Sequence, residues 1–361
     1  VKNASENKIS VCFVLPSLGS GGMERVMSEL VWFLSKYERY SITLLIMTKA
    51  SKFYSLPGSV RIIEPDFDHR RYSRLKFTSL IFLFVRKVLK KHKPQVVLSF
   101  GGKYNSFVIL ANLGLKSKIF VSDRSRPGVK YGILQSILNP IVYRYATGII
   151  AQTKLAKEYV KRQTNHQNIT IIGNPIRIIS SDQQVAKNNI ILNVGRFIST
   201  KNQSFLIEYF EKISDTGWEL VFIGDGPKID LVKKQASESK VSDRIKFLGN
   251  IRNIDDYYRA AKIFAFTSTS EGFPNSLAEA MSAGLACISF DCMAGPSDLI
   301  DDGVNGFLIP ELDHNTYISR LSRLMNDQNL IKSLGDAAII KMKKYHPDVI
   351  GDEYLRTLEL I

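Results

Sequence analysis

The chain has 361 residues, 49 Lys plus Arg against 34 Asp plus Glu, a formal net charge of +15 and 45% hydrophobic residues. At about 100–200 residues per domain this length implies two domains, and so large an apolar fraction excludes global disorder. Three scattered cysteines, Cys12, Cys287 and Cys292, exclude a disulfide framework, and no His or second Cys pair stands near the last two to complete a structural zinc site.

Residues 1–8 are polar, so no signal peptide is expected. The longest apolar run, residues 80–85, is far shorter than the about 20 residues that cross a bilayer. A soluble or peripheral protein of the cytoplasm is the expectation. In chain order, residues 9–15 read as a buried strand, 23–37 as an amphipathic helix, and 42–47 and 60–63 as strands. A basic helix spans 70–93, with Leu75, Leu80, Ile81, Phe84, Val88 and Leu89 at helical spacing and Arg86, Lys87, Lys90, Lys91 and Lys93 toward its end. Strands at 95–100, 118–122, 148–151 and 168–172 alternate with helices at 105–113, 132–145 and 155–163. Strands that are apolar throughout have both faces covered, and strand–helix alternation at this spacing builds a parallel, doubly wound sheet.

Gly173-Asn174-Pro175 breaks the pattern, and the polar text of 178–189 reads as a linker. Alternation restarts with strands at 190–194, 219–223, 244–248, 263–267, 286–290 and 306–309, and the text from Asn315 onward is helical. The organisation is two Rossmann-like halves, a fold that binds ligands outside the carboxyl ends of its strands.

The charge is concentrated. Residues 69–157 hold 18 Lys or Arg and one acid, Asp123. A localised cationic surface meets an anionic partner. Two readings of the basic helix stand side by side: a core helix with a solvated basic face, and a surface resting on anionic membrane. Its aromatic residues lie within apolar helical text, unlike a base-stacking platform, so nucleic acid is not expected.

Four loops after strands carry chemistry. Gly19-Ser20-Gly21-Gly22-Met23-Glu24-Arg25 lets backbone amides approach a phosphate at a helix start, or is a plain tight turn. A dinucleotide site would want an acid after the second strand, where Thr48-Lys49-Ala50-Ser51 stands instead. Gly195-Arg196-Phe197-Ile198-Ser199-Thr200-Lys201 places two cations to converge on one anion such as a diphosphate, or is a solvated loop. Glu271-Gly272-Phe273-Pro274-Asn275-Ser276-Leu277-Ala278-Glu279 sets one carboxylate on a loop and one on a helix shoulder, with helix-start amides between them. Carboxylates accept from sugar diols and amides face phosphate, so this spacing suits a nucleotide sugar; the alternative is a solvated helix start with capping acids. Gly224-Asp225-Gly226-Pro227 and Gly249-Asn250-Ile251-Arg252 are turns at the same sheet edge.

This set of motifs, in this order over nearly the whole chain, resembles the retaining family 4 glycosyltransferases of GT-B fold. The resemblance implies two Rossmann-like domains whose parallel sheets face a cleft: an acceptor domain over 1–175, a nucleotide-sugar domain over 176–340, and a C-terminal helix, 341–361, crossing back to the first. It implies transfer of a hexose or N-acetylhexosamine from a nucleotide sugar, with UDP expected, to a lipid-linked or polysaccharide acceptor, without metal or other cofactor. By the same resemblance Glu279 binds ribose and Glu271 the hexose hydroxyls. Phe273, Pro274, Asn275, Ser276 and Leu277 touch sugar and phosphate, while Arg196 and Lys201, with Gly195 in their loop, hold the diphosphate. Gly21 and Gly22 approach a donor phosphate, and Ile251 contacts the base. Many members carry a His after the fifth strand; here Ser122-Asp123-Arg124-Ser125-Arg126-Pro127 has none. Asp123 is therefore either an acceptor-side or catalytic group or a structural ion pair with Arg124 or Arg126. With the basic first half, the expected place of work is the inner face of the cell membrane.

Three rivals are weighed. Asp66-Phe67-Asp68 reads as a DxD that would hold a divalent cation on a donor diphosphate. A nucleotide-sugar epimerase shares the twin fold. A non-enzymatic membrane or nucleic-acid binder would leave the carboxylate and Arg/Lys loops unexplained.

Overall fold

The computed structural model describes residues 8–19, 21–49, 52–68, 71–179, 186–213 and 217–360. The N-terminal stretch examined for a leader (up to residue 7), part of the linker, Ser20 of the first glycine loop, and Ala50 and Ser51 lie outside them. The chain divides into two compact units, Val1–Pro175 with Pro347–Ile361, and Ile176–His346.

The first unit runs β1 (Ile9–Leu15), α1 (Gly22–Ser35), β2 (Tyr40–Ile46), β3 (Arg61–Ile63), α2 (Arg74–His92), β4 (Val96–Phe100), α3 (Asn105–Asn112), β5 (Lys118–Ser122), α4 (Ile133–Val142), β6 (Gly148–Ala151), α5 (Lys154–Thr164) and β7 (Ile169–Ile171). Its seven-stranded sheet has the order β3-β2-β1-β4-β5-β6-β7, parallel throughout. The second unit runs β8 (Ile190–Val194), α6 (Gln203–Ile213), β9 (Glu219–Ile223), α7 (Ile229–Glu238), β10 (Ile245–Phe247), α8 (Asp255–Ala260), β11 (Ile263–Phe266), α9 (Asn275–Ser282), β12 (Ala286–Asp291), α10 (Pro296–Leu299), β13 (Phe307–Pro310), α11 (His314–Asn326) and α12 (Gln328–Met342). Its six strands order as β10-β9-β8-β11-β12-β13. The last helix, α13 (Pro347–Thr357), packs on α1 within the first unit. Residues 341–346 stay with the second unit, a few residues past the expected boundary at 340.

Chain order reverses at β1/β4 in one sheet and at β8/β11 in the other, and a doubly wound sheet opens a crevice at such a switch point. The central strands β4 and β6 are buried at every residue, as their unbroken apolar text predicts.

The basic helix α2 starts at Ser73, whose hydroxyl accepts from the Lys76 amide. It ends at Lys93 in the left-handed region (φ 43°), with Lys90, Lys91 and His92 in the last turn, where cations suit the helix dipole. Ile81, Val85, Val88 and Leu89 form its buried stripe. Leu75, expected in that stripe, is exposed instead, and Phe77 is the first-turn residue that packs on the core. The guanidinium of Arg86 donates to the carbonyls of Ala111 (3.0 Å) and Leu113 (3.1 Å) and so closes the end of α3. In the Asp66-Phe67-Asp68 turn, Phe67 packs edge-on against Tyr72, Phe77 and Phe84. That turn follows β3, the edge strand of the first sheet.

Candidate active site

In the second unit the loops after β8, β9 and β10 are stitched side by side. The Gly195 amide donates to Ile223 O (3.0 Å), the Gly224 amide to Gly249 O (2.9 Å), and the Phe197 amide to Asp225 O (3.0 Å). Gly224, at φ +136°, runs so close to Gly195 that a Cβ would stand 2.1 Å from the Gly195 carbonyl oxygen. Only glycine fits such backbone-on-backbone packing, which is the structural reason for the Gly-Asp-Gly turn. Ile251 lies half-buried in the loop that this packing holds in place.

The β8 loop closes in a short turn ending at Lys201, whose carbonyl accepts from the Thr267 hydroxyl (2.9 Å), while Thr200 O accepts from the Thr269 amide (2.8 Å). These two bonds fasten the β8 loop to the β11 loop at the switch point. Across the seam, Lys201 Nζ meets Glu271 Oε1 at 2.5 Å, with side-chain exposures of 18% and 11%. The ammonium also lies 5.2 Å from the centre of the Phe266 ring, an attractive cation–π contact. The sequence sets Lys201 and Arg196 to converge on one anion. In the structure the partner of Lys201 is Glu271, and the Arg196 side chain is exposed while its carbonyl accepts from Gln203 Nε2 (3.1 Å).

Glu271 is placed by its amide, which donates to Met293 O (3.1 Å) in the loop after β12. That same loop braces the next segment: Gly295, at φ +109°, lies so near Pro274 that a Cβ would be 2.3 Å from the proline Cδ. Phe273 and Pro274 are buried, and α9 begins at Asn275 with no side chain capping it. An α-helix leaves its first amides without partners inside the helix, and these attract anions; here the Asn275 amide donates to Phe273 O (3.0 Å), and the amides that follow it belong to Ser276 and Leu277. Glu279, one turn inside α9, is 5% exposed. Its Oε2 accepts from the hydroxyl of fully buried Tyr258 at 3.2 Å. Cys292, beside this group, is an inert thiol: burial first, then the Glu271 carboxylate, push it up to about 12.

The candidate groups of the first unit lie at the carboxyl edge of their own sheet. Gly21 caps α1 in extended conformation with no side-chain bond. The Glu24 carboxylate folds back over it and accepts from Ser17 Oγ (3.1 Å), so a Cβ at Gly21 would stand 2.2 Å from that carboxylate. Asp123 follows β5. Among the described residues no ion pair reaches it: Arg124 turns instead to Tyr354 Oη (3.2 Å), Asn174 and the face of Phe100. Asp123 Oδ1 accepts from the Tyr131 hydroxyl (2.6 Å) and the Ser125 amide (3.0 Å). The loop that carries these groups covers a cavity of about 210 Å³ lined in part by Asp123, Tyr131, Asn139 and Tyr143.

Residues 176–341 match the family model described as Glycosyl transferases group 1. The second unit thus carries a glycosyl transferase group 1 domain.

A Campylobacter jejuni protein named GalNAc-alpha-(1->4)-GalNAc-alpha-(1->3)-diNAcBac-PP-undecaprenol alpha-1,4-N-acetyl-D-galactosaminyltransferase is 27% identical over 97% of this chain and 98% of its own. The amylovoran biosynthesis glycosyltransferase AmsD of Erwinia amylovora is 26% identical over 92% of this chain and 94% of its own. The crystal structure of Anabaena HepE in complex with UDP and glucose superposes with a TM-score of 0.78 at 17% identity, over 98% of this chain and 100% of that one. The glycosyl transferase thus has the twin α/β fold, GT-B, that its motifs imply.

Sequence reasoning placed Gly195, Lys201, Glu271, Phe273, Pro274, Asn275, Ser276, Leu277 and Glu279 on two loops and one helix that the second sheet brings to one edge. It missed the parts that hold them: Tyr258 under Glu279, and Met293 and Gly295 from the β12 loop. A Gly-Pro step after a strand was the one local signal for the last. In the first unit it missed Tyr131, and of its two readings of Asp123 the ion pair with Arg124 or Arg126 does not form among the described residues.

Burial holds the Asp123 carboxyl above the usual carboxylate range, and the bonds from Tyr131, Ser125 and Gly102 offset this only in part. A carboxyl raised in the folded state binds its proton more tightly there than in the unfolded chain. Its contribution to stability is complete below the unfolded value of about 3.9 and is lost as pH rises through the folded value. Asp123→Asn is therefore expected to flatten the fall in stability above about pH 4, read as the wild-type-minus-variant difference in urea unfolding at acid and neutral pH. A difference that does not change with pH would show that Asp123 titrates as it does in the unfolded chain.

Proposed function

We propose that this glycosyl transferase moves a hexose or N-acetylhexosamine from a UDP-sugar to a lipid-linked glycan, with retention of configuration, at the inner face of the cell membrane. The observation that carries the reading is the Lys201–Glu271 pair at the switch point, beside the uncapped start of α9 and buried Glu279. A sugar–phosphate bond breaks with negative charge growing on the diphosphate. An ammonium carries three donors; Lys201 gives one to Glu271 and has others to offer a diphosphate oxygen. Arg196 at the solvent side and the amides of Ser276 and Leu277 add to the same field, with the Asn275 side chain beside them. Glu271, fixed through its own amide, takes the hexose hydroxyls, Glu279 the ribose and Ile251 the base. Gly21 and Gly22, at the start of α1, are assigned to a donor phosphate. Gly195 lets its loop lie against the Lys201 stem, 3.7 Å from where a Cβ would stand. No step needs a metal in this scheme; the charge is met by protein cations and amides, and front-face attack assisted by the departing phosphate is the route.

The acceptor follows from two lines. The relatives include a transferase named for an undecaprenyl-diphosphate glycan, and the first half carries all of the net positive charge, which suits an anionic lipid surface at about 1 kcal/mol per basic residue. No described helix is long and apolar enough to cross a membrane, and the contact with lipid proposed here is a peripheral one. Asp123, beside its cavity, is assigned to the acceptor side.

A nucleotide-sugar panel read by thermal shift tests the donor. A UDP-sugar at about 100 Kd stabilises by about 2.7 kcal/mol. Stabilisation by no nucleotide sugar, or product formation abolished by chelator and restored by a divalent cation, would overturn this reading of the site.

A further inference from the structure

A groove of about 870 Å³ opens in the first unit between the starts of α2, α3 and α4. Leu75, Phe77 and Ile81 of α2, Phe107 of α3, and Ile133 and Leu134 of α4 line it. Leu75 is 81% exposed and Ile133 84%. Large aliphatic side chains held in water on facing walls of one groove mark a binding surface. Beyond the groove, Ile137 and Ile141 continue the exposed apolar side of α4, since residues four apart share a helix face.

The polar end of the groove has one sign. Among the described residues Lys49 and Lys103 line it, and no acid does. Lys49 follows β2 and Lys103 follows β4, the two neighbours of β1. Both cations therefore stand at the carboxyl edge of the sheet, the edge that also bears Asp123. Gln135 lines both this groove and the smaller cavity at Asp123, and its Nε2 donates to Lys103 O (3.5 Å). One helix start thus forms the wall between a cationic, apolar groove and the cavity of a buried carboxyl.

We propose that this groove binds the lipid anchor of the acceptor: one linear isoprenoid chain along Leu75, Ile133 and Leu134, leaving over Ile137 and Ile141, with its diphosphate on Lys49 and Lys103. A single groove lined by aliphatic and aromatic side chains takes one chain; a two-chain phospholipid would leave its second chain in water. The diphosphate is the anion that two flanking ammonium groups can share. Bound this way, the lipid sets the sugar attached to its diphosphate toward Gln135 and Asp123. The inference rests on the reading that the acceptor is lipid-linked, and it adds where the lipid is held.

Isothermal titration of the full chain, saturated with UDP, against farnesyl diphosphate below its micelle concentration tests it. Binding is expected, at least about tenfold tighter than pyrophosphate or farnesol under the same conditions. The double variant Leu75→Ser with Ile133→Ser should weaken it at least about tenfold, and Lys49→Ala with Lys103→Ala should do so in a salt-dependent manner. All four side chains are exposed, so unchanged unfolding temperature and UDP affinity report an intact protein. Farnesyl diphosphate binding no tighter than pyrophosphate, or unaffected by both double variants, overturns the groove. Vesicles of phosphatidylglycerol and phosphatidylcholine that bind through Leu75 and Ile133 while farnesyl diphosphate does not would make this face a bilayer contact and also overturn it. Absence of UDP binding is a separate result that strikes the donor reading; UDP binding without farnesyl diphosphate binding strikes only the groove.

Discussion

Lys201→Ala is expected to lower kcat by about 10²–10³, the effect of removing one preorganised donor from a developing anion, or about 2.7–4 kcal/mol. Because that charge develops only as the sugar leaves, kcat should fall more than donor affinity. The variant carries a second cost. Lys201 and Glu271 are paired at 2.5 Å with little exposure, and removing one member of such a pair strands the other. For fully buried pairs that costs about 3–5 kcal/mol; the partial exposure here places the loss at or below the lower figure. The double variant Lys201→Ala with Glu271→Ala separates the two costs. Stability should recover in part, since no charge is left unpaired, while kcat should not. Single-turnover rates and urea unfolding of the three variants decide the matter. If Lys201→Ala unfolds more easily yet turns over near the wild-type rate, the lysine is a strut for the loop that carries Glu271 and has no part in the chemistry.

That pair also marks the limit of what sequence shows. The strands β5, β6, β8 and β9 fall at their expected residues because each is a short, unbroken apolar run between turn residues, a pattern that survives any packing. The loops after β8 and β11 were legible because glycine, cation and carboxylate stand at fixed spacing within a few residues. The partner of Lys201 was not legible. Local spacing offered Arg196, five residues back, whereas the sheet order brings β8 beside β11 and delivers Glu271 from seventy residues away. The same reason hides Tyr258, Met293 and Gly295, each contributed by a different strand–helix unit. Leu75 shows a subtler limit. Its spacing puts it only at the margin of the stripe that is buried, Ile81, Val85, Val88 and Leu89, and in the first turn it is Phe77, packed on Phe67, that continues that face.

Glu279→Gln is expected to weaken UDP binding by about ten- to hundredfold, the loss of a charge-assisted hydrogen bond of about 1.5–3 kcal/mol, with little change in kcat at saturating donor. The ribose does not change charge during transfer, so its contacts act equally on ground and transition states. Glutamine keeps the shape of the side chain and an oxygen for the Tyr258 hydroxyl, which donates to Glu279 Oε2 at 3.2 Å, so α9 should keep its place and unfolding should shift little. The companion variant Glu271→Gln supplies the contrast. If Glu271 holds the hexose, its loss should weaken the UDP-sugar but spare UDP, which lacks that group. Calorimetry with UDP and with the UDP-sugar on both variants gives four affinities. Glu279→Gln that weakens the UDP-sugar but spares UDP, or Glu271→Gln that weakens both alike, would reverse the two assignments. The carboxylate one turn inside the helix would then face the sugar, and the one on the loop the nucleoside.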